Sequence, residues 1–150
     1  MLKGIDPRLG ADVLHALAAM GHGDMVVLVD ANFPADAVAR DTVRGALLRM
    51  DNLDTRAAAE AVLSVLPLDD FVDDFAARME VVGDPGALPP PQAEVQALLA
   101  AAGDGRAIPG VERFAFYDLA RRAYAVIRTG EARAYGCVAF RKGVIFGAGA

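Results

Sequence analysis

Met20-Gly21-His22-Gly23-Asp24-Met25-Val26-Val27-Leu28-Val29-Asp30-Ala31-Asn32-Phe33-Pro34 is the stretch whose reading decides the fold. The five apolar residues Met25 to Val29 run without a polar interruption and stop at a lone aspartate. A short continuous run of this kind, rich in valine, suits a strand buried on both faces, as in parallel sheets covered by helices. Asp30 then falls at the strand's carboxyl end. In open α/β sheets ligands bind at that end, so the segment carries an imidazole and a carboxylate toward an edge where chemistry is expected.

Working outward, Ala11 to Met20 repeats Val13, Leu14, Leu17 and Ala18 on one face and predicts a helix. Gly21 is placed to end it, because glycine takes the left-handed conformation common just past a helix. His22 lies in the turn, where flanking glycines let another molecule approach the backbone. His15 points away from the apolar stripe and reads as a surface residue. Beyond Asp30, Asn32-Phe33-Pro34 predicts a loop, since proline disfavours helical geometry in the residue before it. Residues 36–50 mix arginine and aspartate with small apolar residues and read as a short helix followed by an exposed return.

Asp54 or Thr55 is a good N-cap for a helix over Ala57 to Leu66, which stops before Pro67. An acidic loop, Leu68-Asp69-Asp70-Phe71, precedes a strand expected over Ala76 to Val82 and a turn at Gly83-Asp84-Pro85-Gly86. Pro89-Pro90-Pro91 reads as a stiff connector into a helix from Gln92 to Ala102. Arg113 to about Ala123 predicts another helix, followed by strands at Ala125 to Ile127 and Cys137 to Phe140. Helices alternating with short apolar strands predict an α/β class: a single layered domain over residues 1–150, with a largely parallel, Rossmann-like central sheet flanked by helices.

Composition narrows the function classes. The chain has 150 residues, 55% hydrophobic and 23% charged, with a net charge of −5; its mean hydropathy is +0.32 and its pI about 4.9. A domain of this length buries roughly 68–70% of the surface its unfolded chain exposes. The apolar balance leaves extra surface to bury between subunits. A nucleic-acid partner would need a basic face that this charge does not supply. No apolar run approaches the roughly 20 residues needed to span a bilayer, and the N-terminus lacks a signal-peptide layout, so a cytoplasmic protein without a membrane partner is expected. Cys137 is the single cysteine, which fits a reducing compartment and leaves no cysteine cluster for zinc. Neither a glycine-rich phosphate loop, His-Glu-x-x-His nor Gly-x-Ser-x-Gly occurs.

The candidate residues each have two readings. His22 is either a polar turn residue or a general acid/base, since imidazole, with an unperturbed pKa near 6.5, trades protons at neutral pH. Asp30 is either the cap of the next turn or a ligand-facing carboxylate. A turn and a whole strand between them put the two at opposite strand ends unless the chain folds back, so their spacing alone does not make a dyad. Arg113, beside Phe114, Phe116 and Tyr117, fits a charged residue next to core aromatics as well as a binding group. Tyr135-Gly136 fits an ordinary turn.

Taken in order, Met1-Leu2-Lys3, Leu17-Ala18-Ala19-Met20-Gly21-His22-Gly23-Asp24, Asp30-Ala31-Asn32-Phe33-Pro34, Arg113-Phe114-Ala115-Phe116-Tyr117, Thr129-Gly130-Glu131 and Tyr135-Gly136 resemble the ribose pyranase and fucose mutarotase family across nearly the whole chain. The Arg-Phe-Ala-Phe-Tyr block and the Thr-Gly-Glu turn are more like the L-fucose mutarotase branch. The resemblance implies an isomerase that interconverts the α and β anomers of a free monosaccharide, with L-fucose first, using neither cofactor nor metal, in a cyclic homo-oligomer that is commonly a decamer. It implies His22 as the catalytic proton donor, with Asp30, Arg113, Tyr135, Gly136 and Cys137 holding the sugar and Tyr117 and Asp69 lining the site. Where Cys137 stands, fucose-type members usually carry asparagine, and residues 36–50 are longer than in close relatives. Both departures bear on the sugar more than on the reaction. A D-ribose pyranase and a non-catalytic monosaccharide-binding protein are the competing readings.

The chemistry agrees with the resemblance. Opening a hemiacetal takes a proton from the anomeric hydroxyl and gives one to the ring oxygen, which imidazole can do near neutral pH. Carboxylate and guanidinium groups match a ring of hydroxyls and act by positioning.

Overall fold

The computed structural model describes residues 1–149. The apolar run does form a strand, β1 (Met25–Val29), with Val26 to Val29 fully buried. Its side chains alternate between two cores. Val26 and Leu28 pack with helices α1 (Ala11–Ala19), α3 (Thr55–Leu63) and α4 (Pro90–Ala101) on one face. Met25, Val27 and Val29 pack with α2 (Ala35–Ala39) and α5 (Arg113–Arg122) on the other. A period-two strand under helices on both sides requires this division.

The remaining strands are β2 (Leu48–Met50), β3 (Ala76–Met79), β4 (Gly110–Val111), β5 (Ala125–Thr129) and β6 (Val138–Arg141), arranged β2-β5-β1-β6-β3-β4. β1 pairs in parallel with β5, β5 with β2, and β3 with β4. β6 runs antiparallel between β1 and β3, opposing Val27 and Ala77 with the same residue, Ala139. Five strands thus share one direction, and their carboxyl ends gather at one edge together with the start of β6. The α/β class with a mostly parallel sheet stands as expected.

Local chemistry explains several boundaries. The Asp54 carboxylate accepts from the Ala57 N–H at 2.8 Å and starts α3 at Thr55, a cap worth about 1 kcal/mol. Glu112 caps α5 by accepting from the Phe114 and Ala115 N–H groups, each at 3.0 Å, while Arg121 and Arg122 face the negative end of the dipole.

Other expectations need correction. α1 ends at Ala19 with Met20 extended, and the positive φ belongs to Gly23 at 88°, not to Gly21. Gly21 instead donates its N–H to the Asp24 carboxylate at 2.7 Å, which closes the turn around His22. The return after the short helix α2 contains β2, whose three residues alternate buried, exposed, buried. β3 stops at Met79 rather than Val82, and Pro90 and Pro91 lie inside the first turn of α4, where their missing N–H groups cost nothing.

Candidate active site

The carboxyl edge of the sheet holds a cavity of about 220 Å³, lined by Asp30, Asn32, Phe33, Met79, Arg113, Tyr117, Ala134, Tyr135 and Cys137. It is smaller than the roughly 300–1,000 Å³ of pockets for drug-sized ligands and so fits one small molecule. Four of the positions flagged for side-chain contacts to a sugar, Asp30, Arg113, Tyr135 and Cys137, converge here, with Tyr117 beside them.

Each wall has a structural origin. Asp30 follows the last residue of β1 and is 8% exposed. Its Oδ1 accepts from the Asn32 and Phe33 N–H groups, both at 3.0 Å, so the turn-capping reading of this residue is realised. That capping fixes the carboxylate while Oδ2 faces Cys137, whose Sγ lies at 3.4 Å. The thiol is pushed well above its ordinary pKa, first by burial and then by the neighbouring Asp30 charge, so it stays protonated and donates.

Arg113 begins α5, one turn before Tyr117. Its Nε and Nη2 each donate to the Tyr117 hydroxyl at 3.3 Å, and that bond raises the guanidinium's pKa further. The Tyr117 ring leans on Phe33 with centroids 5.1 Å apart. Tyr135 and Cys137 come from the loop entering β6, and Gly136 lies between them where a Cβ would come within 2.5 Å of Glu131 Cγ and 2.7 Å of Thr55 Oγ1. Gly136 therefore leaves room for packing rather than touching the cavity.

His22 and Asp69 are elsewhere. His22 sits before the amino end of β1, and the five residues of the strand, about 16 Å of extended chain, separate it from Asp30. The expectation that one segment brings imidazole and carboxylate to a common edge is corrected: the strand carries them apart. His22 has a different partner, Asp69, with Nε2 and Oδ2 3.0 Å apart. The Asp69 side chain is only 2% exposed, whereas the imidazole is 50% exposed. Asp69 Oδ1 accepts from the Phe71 N–H at 2.9 Å; that bond first, and His22 second, lower its pKa. An ionised carboxylate only accepts, so Nε2 carries the hydrogen and Nδ1 is left for chemistry. Phe71, itself 65% exposed, meets the imidazole edge-on at 5.8 Å.

Asn32, Phe33, Met79 and Ala134 complete the cavity but were not among the residues singled out. Phe33 follows Asp30 by three positions and could have been found as the apolar residue of an aspartate-capped turn. Met79 carries no such signal, because its place depends on β3 pairing with β6.

Comparison with known proteins places the chain among sugar mutarotase relatives. A model of the RbsD / FucU transport protein family matches residues 3–145. The chain is 43% identical over 147 residues to the fucose mutarotase of Homo sapiens, covering 96% of this chain and 94% of that protein. It is 39% identical over 147 residues to the L-fucose mutarotase of Actinobacillus pleuropneumoniae, covering 96% and 97%. Among solved structures, the fucose mutarotase from Streptococcus pneumoniae in complex with L-fucose superposes with a TM-score of 0.86 at 32% identity, over 97% of this chain and all of that one.

Proposed function

The chain belongs to the RbsD / FucU transport protein family, and on that premise we propose that it is an L-fucose mutarotase, an isomerase that interconverts the anomers of the free sugar. The observation that carries this reading is the cavity at the carboxyl edge, where Asp30, Arg113, Tyr117 and Tyr135 set a carboxylate, a guanidinium and two phenols around a space for one small molecule. A monosaccharide presents a ring of hydroxyls that both donate and accept, and these groups supply both kinds of partner. Cys137 adds a thiol to the same wall, and Gly136 packs that wall closely.

Proton transfer falls to His22, whose half-exposed imidazole is held by Asp69 through Nε2. Ring opening needs a proton at the ring oxygen as one leaves the anomeric hydroxyl, and imidazole supplies both transfers in turn. In one chain the proton donor and the sugar-holding groups occupy opposite sheet edges. A working site therefore sets His22 of a neighbouring copy over the cavity of this one. Such a head-to-tail contact repeats until it closes as a ring, in line with the cyclic oligomer that the resemblance implies. Large apolar side chains are exposed at both edges, with Phe71 against His22 and with Phe114 and Val82 beside the cavity residues Tyr117 and Tyr135. Each would be covered in that arrangement.

Among the described residues no helix is long and apolar enough to cross a membrane. We place the protein in the cytoplasm, as one mutarotase domain over residues 1–150 acting on a monosaccharide formed or consumed there. Saturation-transfer NMR tests the function directly. Added protein should accelerate exchange between the anomeric signals of L-fucose more than between those of D-ribose. Equal or absent acceleration overturns the assignment.

A further inference from the structure

The loop that carries Tyr135 and Cys137 into the cavity is held at three successive carbonyls. Tyr135 O accepts from Gln92 Nε2 at 2.8 Å, Gly136 O from Thr55 Oγ1 at 3.0 Å, and Cys137 O from the Met79 N–H at 3.2 Å. Two of the three donors are side chains from helices behind the cavity, and both Gln92 and Thr55 are fully buried. Gln92 Nε2 also donates to Met79 O at 2.7 Å, so one amide ties the end of β3 to the loop entering β6. Both partners of that nitrogen are carbonyl oxygens, which fixes which end of the amide faces them.

The loop needs holding. Tyr135 is the only non-glycine residue with a positive φ among the described residues, at 60°. A tyrosine in the left-handed region is strained and persists only where its surroundings over-determine it. The same conformation directs the phenol across the cavity wall, where its oxygen accepts from the Val82 N–H at 3.3 Å and its own hydrogen stays available.

We propose that Gln92 and Thr55 are positioning residues for the sugar site, pinning Tyr135–Cys137 in the strained form that aims the Tyr135 hydroxyl and the Cys137 thiol at the substrate. Neither touches the cavity; each acts through the loop. The proposal rests on the mutarotase reading, and the test separates the two.

Anomer exchange is measured by saturation transfer against L-fucose concentration for the wild type, Thr55→Val, Thr55→Ser and Gln92→Met, with thermal unfolding alongside. Thr55→Val keeps shape and removes the hydroxyl, while Thr55→Ser keeps the hydroxyl. The expected result is a KM about tenfold higher for Thr55→Val and Gln92→Met, kcat within about threefold of the wild type, and recovery of KM in Thr55→Ser. Adding Tyr135→Phe to Gln92→Met should cost less than the product of the two separate effects, because both act on one side chain.

A folded Thr55→Val or Gln92→Met with wild-type KM, or an additive double variant, overturns the positioning role and leaves the mutarotase reading intact. Failure of both Thr55→Val and Gln92→Met to fold also overturns it, since the residues would then be wholly structural. A wild-type protein that leaves L-fucose exchange unaccelerated overturns the reading and this proposal together.

Discussion

Cys137 and Asp30, 107 residues apart in the chain, meet at the carboxyl edge of the sheet, where the thiol donates to the carboxylate across 3.4 Å. The contact ties the start of β6 to the end of β1 and spends the weak donor of the cysteine on a protein group. The thiol has only weak accepting capacity left for a sugar hydroxyl.

Replacing Cys137 by asparagine should therefore sharpen the preference for L-fucose. The amide N–H can take over the bond to Asp30 while its carbonyl oxygen remains free to accept from the sugar. A neutral hydrogen bond is worth about 0.5–1.5 kcal/mol net, or about two- to twelvefold in selectivity. Exchange efficiencies of both proteins on fucose, ribose and galactose provide the comparison. Identical ratios would mean that the side chain at 137 is spent on Asp30 alone.

A second expectation concerns acid stability. Glu131 is 3% exposed as a side chain, and its bond to Arg133 lowers its pKa from 4.5 to about 2. Its Oε2 also accepts from the Thr55 N–H at 3.3 Å, at the first residue of α3. A depressed carboxylate stabilises the fold above its unfolded pKa and loses that contribution as pH falls through the folded value. The stability difference between wild type and Glu131→Gln should thus be full above about pH 5 and fade toward pH 2. Its size is on the order of 2 kcal/mol, discounted because Arg133 is half exposed. Denaturant melts at pH 2, 3.5 and 6 check both the sign and the window.

The sequence made some of this architecture legible because the signals were local. Five apolar residues marked β1, the pair Asp54 and Thr55 marked the start of α3, and Val13 and Leu17 marked the buried face of α1. What stayed hidden was non-local. β2 and β4 are three and two residues long, and they exist only through pairing with β5 and β3. The antiparallel insertion of β6 between β1 and β3 has no signature within its own four residues. The same limit governs the site: Asp69 reaches His22 over 47 positions, and Gln92 looks like any polar residue in the first turn of a helix until its two carbonyl partners are in place.

His22→Ala should lower the exchange rate at saturating fucose by at least about a hundredfold, the usual contribution of a general acid/base. Its effect on folding should be small, since the imidazole is half exposed, bonded to Asp69 and edge-on to Phe71. Sugar affinity should change little, because the holding groups lie at the other sheet edge. Calorimetric titration with fucose separates the two effects, and a variant that keeps near-normal exchange removes His22 from the mechanism.

The separation of His22 from Asp30 by the length of β1 leads to a complementation experiment. If each site combines the amino edge of one copy with the carboxyl edge of the next, His22→Ala and Arg113→Ala damage different halves of it. Each variant alone leaves every site in a ring defective. In a mixed ring, a neighbour pair whose first member keeps His22 and whose second keeps Arg113 restores one intact site. Random mixing at equal amounts gives about a quarter of such pairs, since each requirement is met half the time. Denaturing and refolding the two variants together should therefore return activity to about a quarter of wild type, while each refolded alone stays inactive. Light scattering must report an oligomer under the same conditions. Recovery absent from a mixed oligomer would place His22 and Arg113 in the same half of the site, against the geometry of the sheet.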